Sequence, residues 1–379
     1  MDFLVLGANG MQGALVVRDL LEHGFSVFTS DLSQDARSGR RIHGQRPPFA
    51  ALDLRDSGAI AGFIEKSEAG IVVNCAEGDW NLDVQLACLK AEKHYLDLGS
   101  RTDVTQKQLE LDQDFRKISK TAITGCGSTP GINNVMLKYA AKKFDAIHSI
   151  DAGFAWDSNM EAFVVPFSIE SILEELTEPA PFFRNGKLKF EHDQKTSRLQ
   201  YHRGIGFQKE LLVDHPETLT FHRYFPDVRD IRFFAGFPEH SRKTLDVLVE
   251  LGFNDRRPVK VRGQDTVPIE FLAQQLRRLK RPEGYEECET LWVQVDGVRS
   301  GKNLRIEMEC MVQTMPGYEA YGCNIDTALP ASIIAQMLLD KTIRTPGSFA
   351  PENIVPEKPF FAALKKYGMS VYENGRMLN

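Results

Sequence analysis

The chain opens on an apolar run, Phe3 to Leu6, that feeds directly into three glycines spaced three apart, Gly7, Gly10 and Gly13, with helical periodicity after them. Few folds accept that order. A strand has to stop, turn at once, and enter a helix whose first turn lies against the strand it has just left. Gly7 permits the tight turn, Gly10 leaves room above it, and Gly13 lets the helix pack closely on the strand. The start of that helix presents backbone N–H groups and the positive end of the helix dipole, which suits a pyrophosphate. The second strand, Phe25 to Asp31, ends in an acid 18 residues after Gly13. Its carboxylate stands where the ribose hydroxyls of a dinucleotide would donate to it. The spacing is GxxGxxG, not GxGxxG, so the assignment rests on strand, helix, second strand and terminal acid together.

The pattern continues. Phe49 to Asp53, Ile71 to Ala76, His94 to Leu98 and Thr121 to Gly125 read as strands, with helices over 57–67, 81–92 and 104–119 between them. Strands alternating with helices mean a parallel sheet covered on both faces, and six such strands complete a doubly wound dinucleotide fold of the α/β class. Beyond about residue 145 the pattern changes to alternating runs such as 148–155, 290–296 and 304–313, with helices near 267–280 and 330–339. These predict a second, α+β domain with an open mixed sheet. At 379 residues the chain exceeds one ordinary core. The expected division is a nucleotide-binding domain over 1–130, completed by 325–379 returning to it, and a substrate-binding and dimerisation domain over 131–324.

A net charge of −6 and the lack of basic runs argue against nucleic acid, and no 18-residue apolar stretch indicates a membrane span. The chain enters a strand at once, without a leader pattern, so a cytoplasmic protein is expected. Its six cysteines form no CxxC pair and its nine histidines no HxH or HExxH set, so no metal is expected. The chemistry then falls to an organic cofactor.

In an open α/β sheet the ligand lies beyond the carboxyl ends of the strands. That rule selects Gly7, Asn9, Gly10, Met11, Gly13, Asp31, Cys75 and Ala76 as cofactor residues. Asp53 is either a further contact near the adenine or a solvated turn acid. Asp31 would repel a 2′-phosphate, whereas Arg37, Arg40 and Arg41 would attract one; the acid favours NAD, with NADP as the alternative. The loop Gly125 to Asn134 is rich in glycine and small hydroxyls, and Pro130 is expected at the first turn of the next helix. Backbone groups at Ser128, Thr129, Pro130 and Gly131 are expected to hold a substrate carboxylate. Asp97 is the candidate base for a substrate amine, or a cap for the helix after it. Cys126 reads as an inert thiol. Among Arg184, Lys187, Arg198 and Arg203, all able to pair a carboxylate, Arg203 is the one assigned to substrate.

These segments resemble the saccharopine dehydrogenase-like superfamily along nearly the whole chain. The resemblance is carried by the glycine turn, by Asn81 with His94-Tyr-Leu-Asp97-Leu-Gly99, by the loop 125–131, and by 347–352 with Phe360, Phe361 and Tyr367. The stretch Glu174 to Lys187 is most similar to the lysine 6-dehydrogenase branch, while residues 75–80 depart from the Pro-Tyr that relatives carry there. The resemblance implies an NAD(P)-dependent oxidoreductase acting on the C–N bond of an amino acid or a derived amine, with a homodimer built on the second sheet. Two alternatives stay open. One is a reductive condensation of saccharopine or carboxynorspermidine type, and the other a non-catalytic, nucleotide-binding redox sensor.

Overall fold

The computed structural model describes residues 1–32, 46–192 and 196–379, so Arg37, Arg40 and Arg41 lie outside the described residues. The first half runs β1 (Phe3–Leu6), α1 (Met11–Glu22), β2 (Val27–Asp31), β3 (Phe49–Ala51), α2 (Ser57–Lys66), β4 (Ile71–Asn74), α3 (Asn81–Lys90), β5 (His94–Asp97), α4 (Thr102–Glu110), α5 (Asp112–Lys117), β6 (Thr121–Ile123) and α6 (Ile132–Ala141). Then come β7 (Ala146–Ser158), α7 (Ile169–Thr177), β8 (Ala180–Arg184), β9 (Lys187–Glu191), β10 (Ser197–His202), β11 (Gly206–Leu212), α8 (Glu217–Tyr224), β12 (Asp230–Gly236), α9 (Glu239–Glu250), β13 (Val259–Val261), β14 (Gln264–Thr266) and α10 (Pro268–Leu276). The chain ends with β15 (Glu287–Arg299), β16 (Lys302–Gln313), α11 (Ile325–Leu339), β17 (Gly347–Phe349), α12 (Pro351–Ile354), α13 (Glu357–Lys365), β18 (Ser370–Glu373) and β19 (Arg376–Met377).

The first sheet is parallel, in the order β17-β6-β5-β4-β1-β2-β3. Its strands are short, and the central β1 and β4 are almost entirely apolar, because both faces are covered. Phe3 and Val5 of β1 enter one core with Val73, Leu96 and Ile123, while Leu4 and Leu6 enter the other with Val72, Tyr95 and Ala122. The order reverses between β1 and β4, which opens a crevice at their carboxyl ends. A seventh strand, β17, sits beside β6 in a stretch whose prolines and glycines read only as punctuation.

The second sheet is mixed. It runs β10-β11-β12-β7-β15-β16-β18-β19, with β8 and β9 branching from β12. Only β12 and β7 pair in parallel. Alternation on β15 sends Leu291, Val293 and Val295 to the helix-covered core, and Trp292 to the opposite face with Phe234 and Leu212. The last segment serves both sheets: β17 joins the first, and β18 and β19 join the second.

Helix α11 is bound to α1 by Asp19, which is 1 % exposed. Its carboxylate accepts from Ser332 Oγ at 2.6 Å, Tyr367 Oη at 2.5 Å and Gln336 Nε2 at 3.1 Å. A buried carboxylate is tolerated only when its lone pairs are used in this way. The contact fixes the middle of α11 against α1, while Gln12 Nε2, donating to Asn324 Oδ1 at 2.7 Å, holds its start beside the glycine turn. No helix among the described residues is long and apolar enough to cross a membrane.

Candidate active site

The glycine turn brings most of the expected cofactor residues together. Gly7 has φ +69°, and a Cβ there would come within 2.6 Å of Ala76 N, so the backbone of Cys75 and Ala76 passes directly over the turn. A Cβ on Gly13 would overlap the Gly7 carbonyl, whereas one on Gly10 would meet nothing nearer than the Gly7 oxygen at 3.2 Å. Gly10 therefore borders open space. Gly10 caps α1 without any side-chain bond, and among the described residues no acceptor meets the amides of Met11, Gln12 and Gly13. Asp31 accepts the Asn9 amide at 2.9 Å and the Leu32 amide at 2.7 Å, which aims its carboxylate at the same space. An open helix N-terminus, a glycine floor and a carboxylate at the ribose position fit a dinucleotide. Asp53 differs: it is chelated by exposed Arg55, whose hydrogen bonds hold its carboxyl down at about 2.

The end of β6 is built otherwise. The Cys126 amide donates to Asp97 O (2.8 Å), that of Gly127 to Pro130 O (2.8 Å), and that of Gly131 to Asn134 Oδ1 (2.7 Å). The Ile132 and Asn133 amides donate to Gly127 O and Ser128 O. Of the groups expected to hold a carboxylate, the Gly131 amide is thus consumed inside the loop and Pro130 has no N–H, while the Ser128 and Thr129 amides meet no acceptor among the described residues. What stays open toward the cleft is the Ser128–Thr129 corner, where Ser128 Oγ lies 3.1 Å from Thr327 Oγ1 of α11. Pro130 is not the first helical residue either; α6 begins at Ile132, with Gly131 as its cap.

Asp97 is expected as a base, yet its carboxylate anchors two turns. It is 0 % exposed. Oδ1 accepts the amides of Gly99 (2.8 Å) and Gly125 (2.7 Å), and Oδ2 accepts Tyr95 Oη (2.8 Å) and Gln108 Nε2 (2.7 Å). No lone pair is left for a substrate. A Cβ on Gly99 or Gly125 would strike the Pro130 ring, at 2.8 and 2.5 Å, so Asp97 holds the two glycines that cradle that proline. Burial raises its carboxyl despite these donors. Asn81 belongs to the same lock, bridging Asn74 (2.8 Å) and Gly99 O (2.8 Å).

The basic residues expected at the substrate do not reach the cleft. Arg203 pairs with Glu309 at 3.3 Å and lies over the Tyr372 ring, on the face of the second sheet opposite the helices. Arg198 is stacked between Phe234 and Trp292 and paired with Glu210 and Asp151. Arg184 and Lys187 flank the β8–β9 turn. Beside the rim stand instead Arg101, paired with Asp79 at 2.6 Å, and Arg277, whose charge acts on Glu77.

Acids dominate the wall facing the rim. Glu77 keeps open surface but is crowded by protein; that desolvation, then the charges of Glu170, Asp79 and Glu174, raise its carboxyl. Glu170 and Glu174 come from α7 of the second domain, and nearby Asp214 accepts Thr102 Oγ1 of the first at 2.8 Å. Cys126 is buried and Cys75 half-buried, and desolvation holds both thiols protonated.

Known proteins agree with this architecture. The family model described as the saccharopine dehydrogenase NADP binding domain matches residues 3–123, and that of the saccharopine dehydrogenase C-terminal domain matches 127–369. A carboxyaminopropylagmatine dehydrogenase of Synechocystis sp. is 26% identical over 392 aligned residues, covering 98% of this chain and 96% of that protein. Apo saccharopine dehydrogenase (L-Glu forming) of Saccharomyces cerevisiae superposes with a TM-score of 0.74 at 14% identity, each chain covered in full; at that identity the likeness concerns the fold. The chain belongs to the saccharopine dehydrogenase family and is an NAD(P)-dependent oxidoreductase acting at an amine carbon.

Proposed function

We propose that this enzyme joins, and in reverse cleaves, a secondary amine whose one arm is an amino acid and whose other arm is cationic. The acidic wall of Glu77, Asp79, Glu170 and Glu174 against the nicotinamide end of the crevice carries this reading, because it attracts an ammonium or guanidinium arm and repels a second carboxylate. The name of the Synechocystis relative describes such a molecule, a carboxyaminopropyl arm on agmatine. Cutting its secondary amine at the carboxyaminopropyl carbon leaves aspartate semialdehyde and agmatine. When bound, the nicotinamide exchanges a hydride with the carbon that bears nitrogen.

The chain's own residues hold both reactants at the rim and exclude water as the second domain covers it. The Met11 to Gly13 amides bind the pyrophosphate, and Asp31 accepts from the ribose, so NAD(H) is favoured. The working division is a cofactor domain over 1–130, with 325–379 returning to it, and a substrate domain over 131–324. Leu199, Tyr201 and Phe207, from 61 to 73 % exposed on the free edge of the second sheet, form the contact of a homodimer. Six free cysteines suit a reducing cytoplasm.

The test is a reductive assay with aspartate semialdehyde and either NADH or NADPH, paired in turn with agmatine, putrescine and lysine. Oxidation of lysine alone with NAD runs beside it as the lysine 6-dehydrogenase control. Coupling to agmatine or putrescine at least tenfold above lysine is expected, with Glu77→Gln raising KM for the cationic arm. Faster turnover of lysine alone would overturn the reading, and a NADPH preference unchanged in Asp31→Ser would remove the role given to Asp31.

A further inference from the structure

The segment that enters α11 joins the glycine turn, β15 and the β6 loop. Gln12 Nε2, next to the glycine turn, donates to Asn324 Oδ1 at 2.7 Å, and the Cys323 amide donates to Glu287 Oε2 at 2.7 Å. Between them stands Asp326, 2 % exposed, facing Glu289 of β15, 8 % exposed. Glu289 has the strand parity of Leu291 and Val293, so it points into the helix-covered core. Oδ1 of Asp326 accepts Thr327 Oγ1 at 3.2 Å, while its buried Oδ2 meets no N–H or hydroxyl donor. Two buried carboxyls in contact cannot both ionise; one proton held between them turns repulsion into a hydrogen bond. From Thr327 the chain of hydroxyls continues 3.1 Å to Ser128, at the open corner of the β6 loop.

We propose that the Glu289–Asp326 pair stores the proton of the C–N reaction and is joined to the substrate nitrogen through Thr327 and Ser128. This rests on the amine reading above. In the oxidative direction an N–H bond of the substrate's secondary ammonium breaks. Its proton passes to Ser128 Oγ as Ser128 gives its own to Thr327 and Thr327 gives its own to Asp326. The pair goes from one proton to two and from one negative charge to none. The nitrogen keeps the electron pair of the broken N–H bond, which supports loss of hydride from the adjacent carbon to the nicotinamide. Reductive coupling runs the same transfer backwards. Ser128 meets the substrate nitrogen, and Thr327, Asp326 and Glu289 act through it as positioning residues.

The surroundings fit a store that works near neutrality. Glu287 is neutralised by Arg281 at 2.8 Å, Glu175 of α7 adds negative charge, and the thiols of Cys310 and Cys323 are held protonated by burial. Burial and then these charges raise Glu289 well above the usual carboxylate range. Burial, with a contribution from Glu287, brings Asp326 to about 7.

The experiment has two arms. Infrared titration of the free enzyme reads carboxyl C=O intensity across the neutral range, and kcat and KM for amine oxidation are followed against pH. Glu175 and Glu352 also titrate near 7, so what is read is the wild-type minus Asp326→Asn difference. Wild type and Thr327→Val should both lose more carboxyl intensity near pH 7 than Asp326→Asn does, by about one group. Thr327→Val should lower kcat at least about tenfold with KM within about twofold, and Thr327→Ser should restore it. The proposal is overturned if Asp326→Asn loses as much carboxyl intensity near neutrality as the wild type, or if Thr327→Val keeps the wild-type kcat and pH profile. The infrared arm needs no substrate, so an error in the substrate assignment shows separately, as absent turnover on the amine panel beside an intact carboxyl titration.

Discussion

At the turn between β1 and α1, the first three helical amides have no acceptor among the described residues and the glycine floor is open at Gly10. At the turn between β6 and α6, a loop equally rich in glycine spends its amides, those of Ser128 and Thr129 excepted, on itself, on Asp97 and on Asn134. Both look like anion cradles when written as sequence. The difference lies in where the carbonyls point. In the first, the chain leaves the strand and goes directly into the helix, so no nearby oxygen can turn back onto the amides. In the second, the extra residues fold the Gly127, Ser128 and Pro130 carbonyls inward. The first loop is therefore a ligand site and the second a rigid shelf that presents Ser128.

The comparison breaks most sharply at Gly131, where φ is +141° and a Cβ would overlap the Gly127 carbonyl. Gly131→Ala should destabilise the protein by about 3 kcal/mol or more in urea unfolding, whether or not cofactor is bound. Asp97→Asn comes next. It sets an amide N–H₂ against donors in a buried pocket and should cost about 2–3 kcal/mol, with the pH dependence of kcat unchanged because Asp97 anchors turns and meets no substrate. A shifted pH profile in a stably folded Asp97→Asn would return it to the role of base.

A smaller effect sharpens the closed loop through its support. Asn134, whose Oδ1 caps Gly131, donates through Nδ2 to Glu352 at 2.7 Å, and burial raises the Glu352 carboxyl to about 7. With Asp326 also at about 7, the folded protein binds more protons than the unfolded chain between pH 4 and 7. Stability must then fall as pH rises through that window and level off above it, by an amount on the order of 1 kcal/mol or more. Urea midpoints at pH 5.5 and 8 check this, and Glu352→Gln should narrow the difference, leaving the part that Asp326 supplies. The smallest change in stability is expected at the open loop. Gly10→Val should leave the melting temperature unchanged while weakening NADH binding at least about tenfold, or about 1.4 kcal/mol.

Much of this was legible in the residues. The strand, glycine turn, helix and terminal Asp31 dictate local geometry within one short stretch, so they can be read without knowing the rest of the fold. The second loop misled because its amides are satisfied by Asp97, 28 and 29 residues before Gly125 and Cys126, and by its own inward carbonyls, which spacing does not reveal. Arg203 misled because which face of the second sheet it occupies depends on the pairing of β10 and β11 with the rest of that sheet. One signal was present and overlooked. Extending the alternation of β15 back from Leu291 puts Glu289 and Glu287 on the buried parity, and acids there need a reason. Asp326, by contrast, gives no sign of its partner until α11 is seen lying over the crevice.

Hydrogen exchange resolved to single amides, with and without NADH, tests the contrast most directly. The amides of Met11 to Gly13 should exchange fast in the free enzyme and slow strongly on NADH binding, while those of Gly131 to Asn133 should be slow in both. Fast exchange at 131–133 that slows only when a substrate carboxylate is added, with 11–13 indifferent to NADH, would contradict the account.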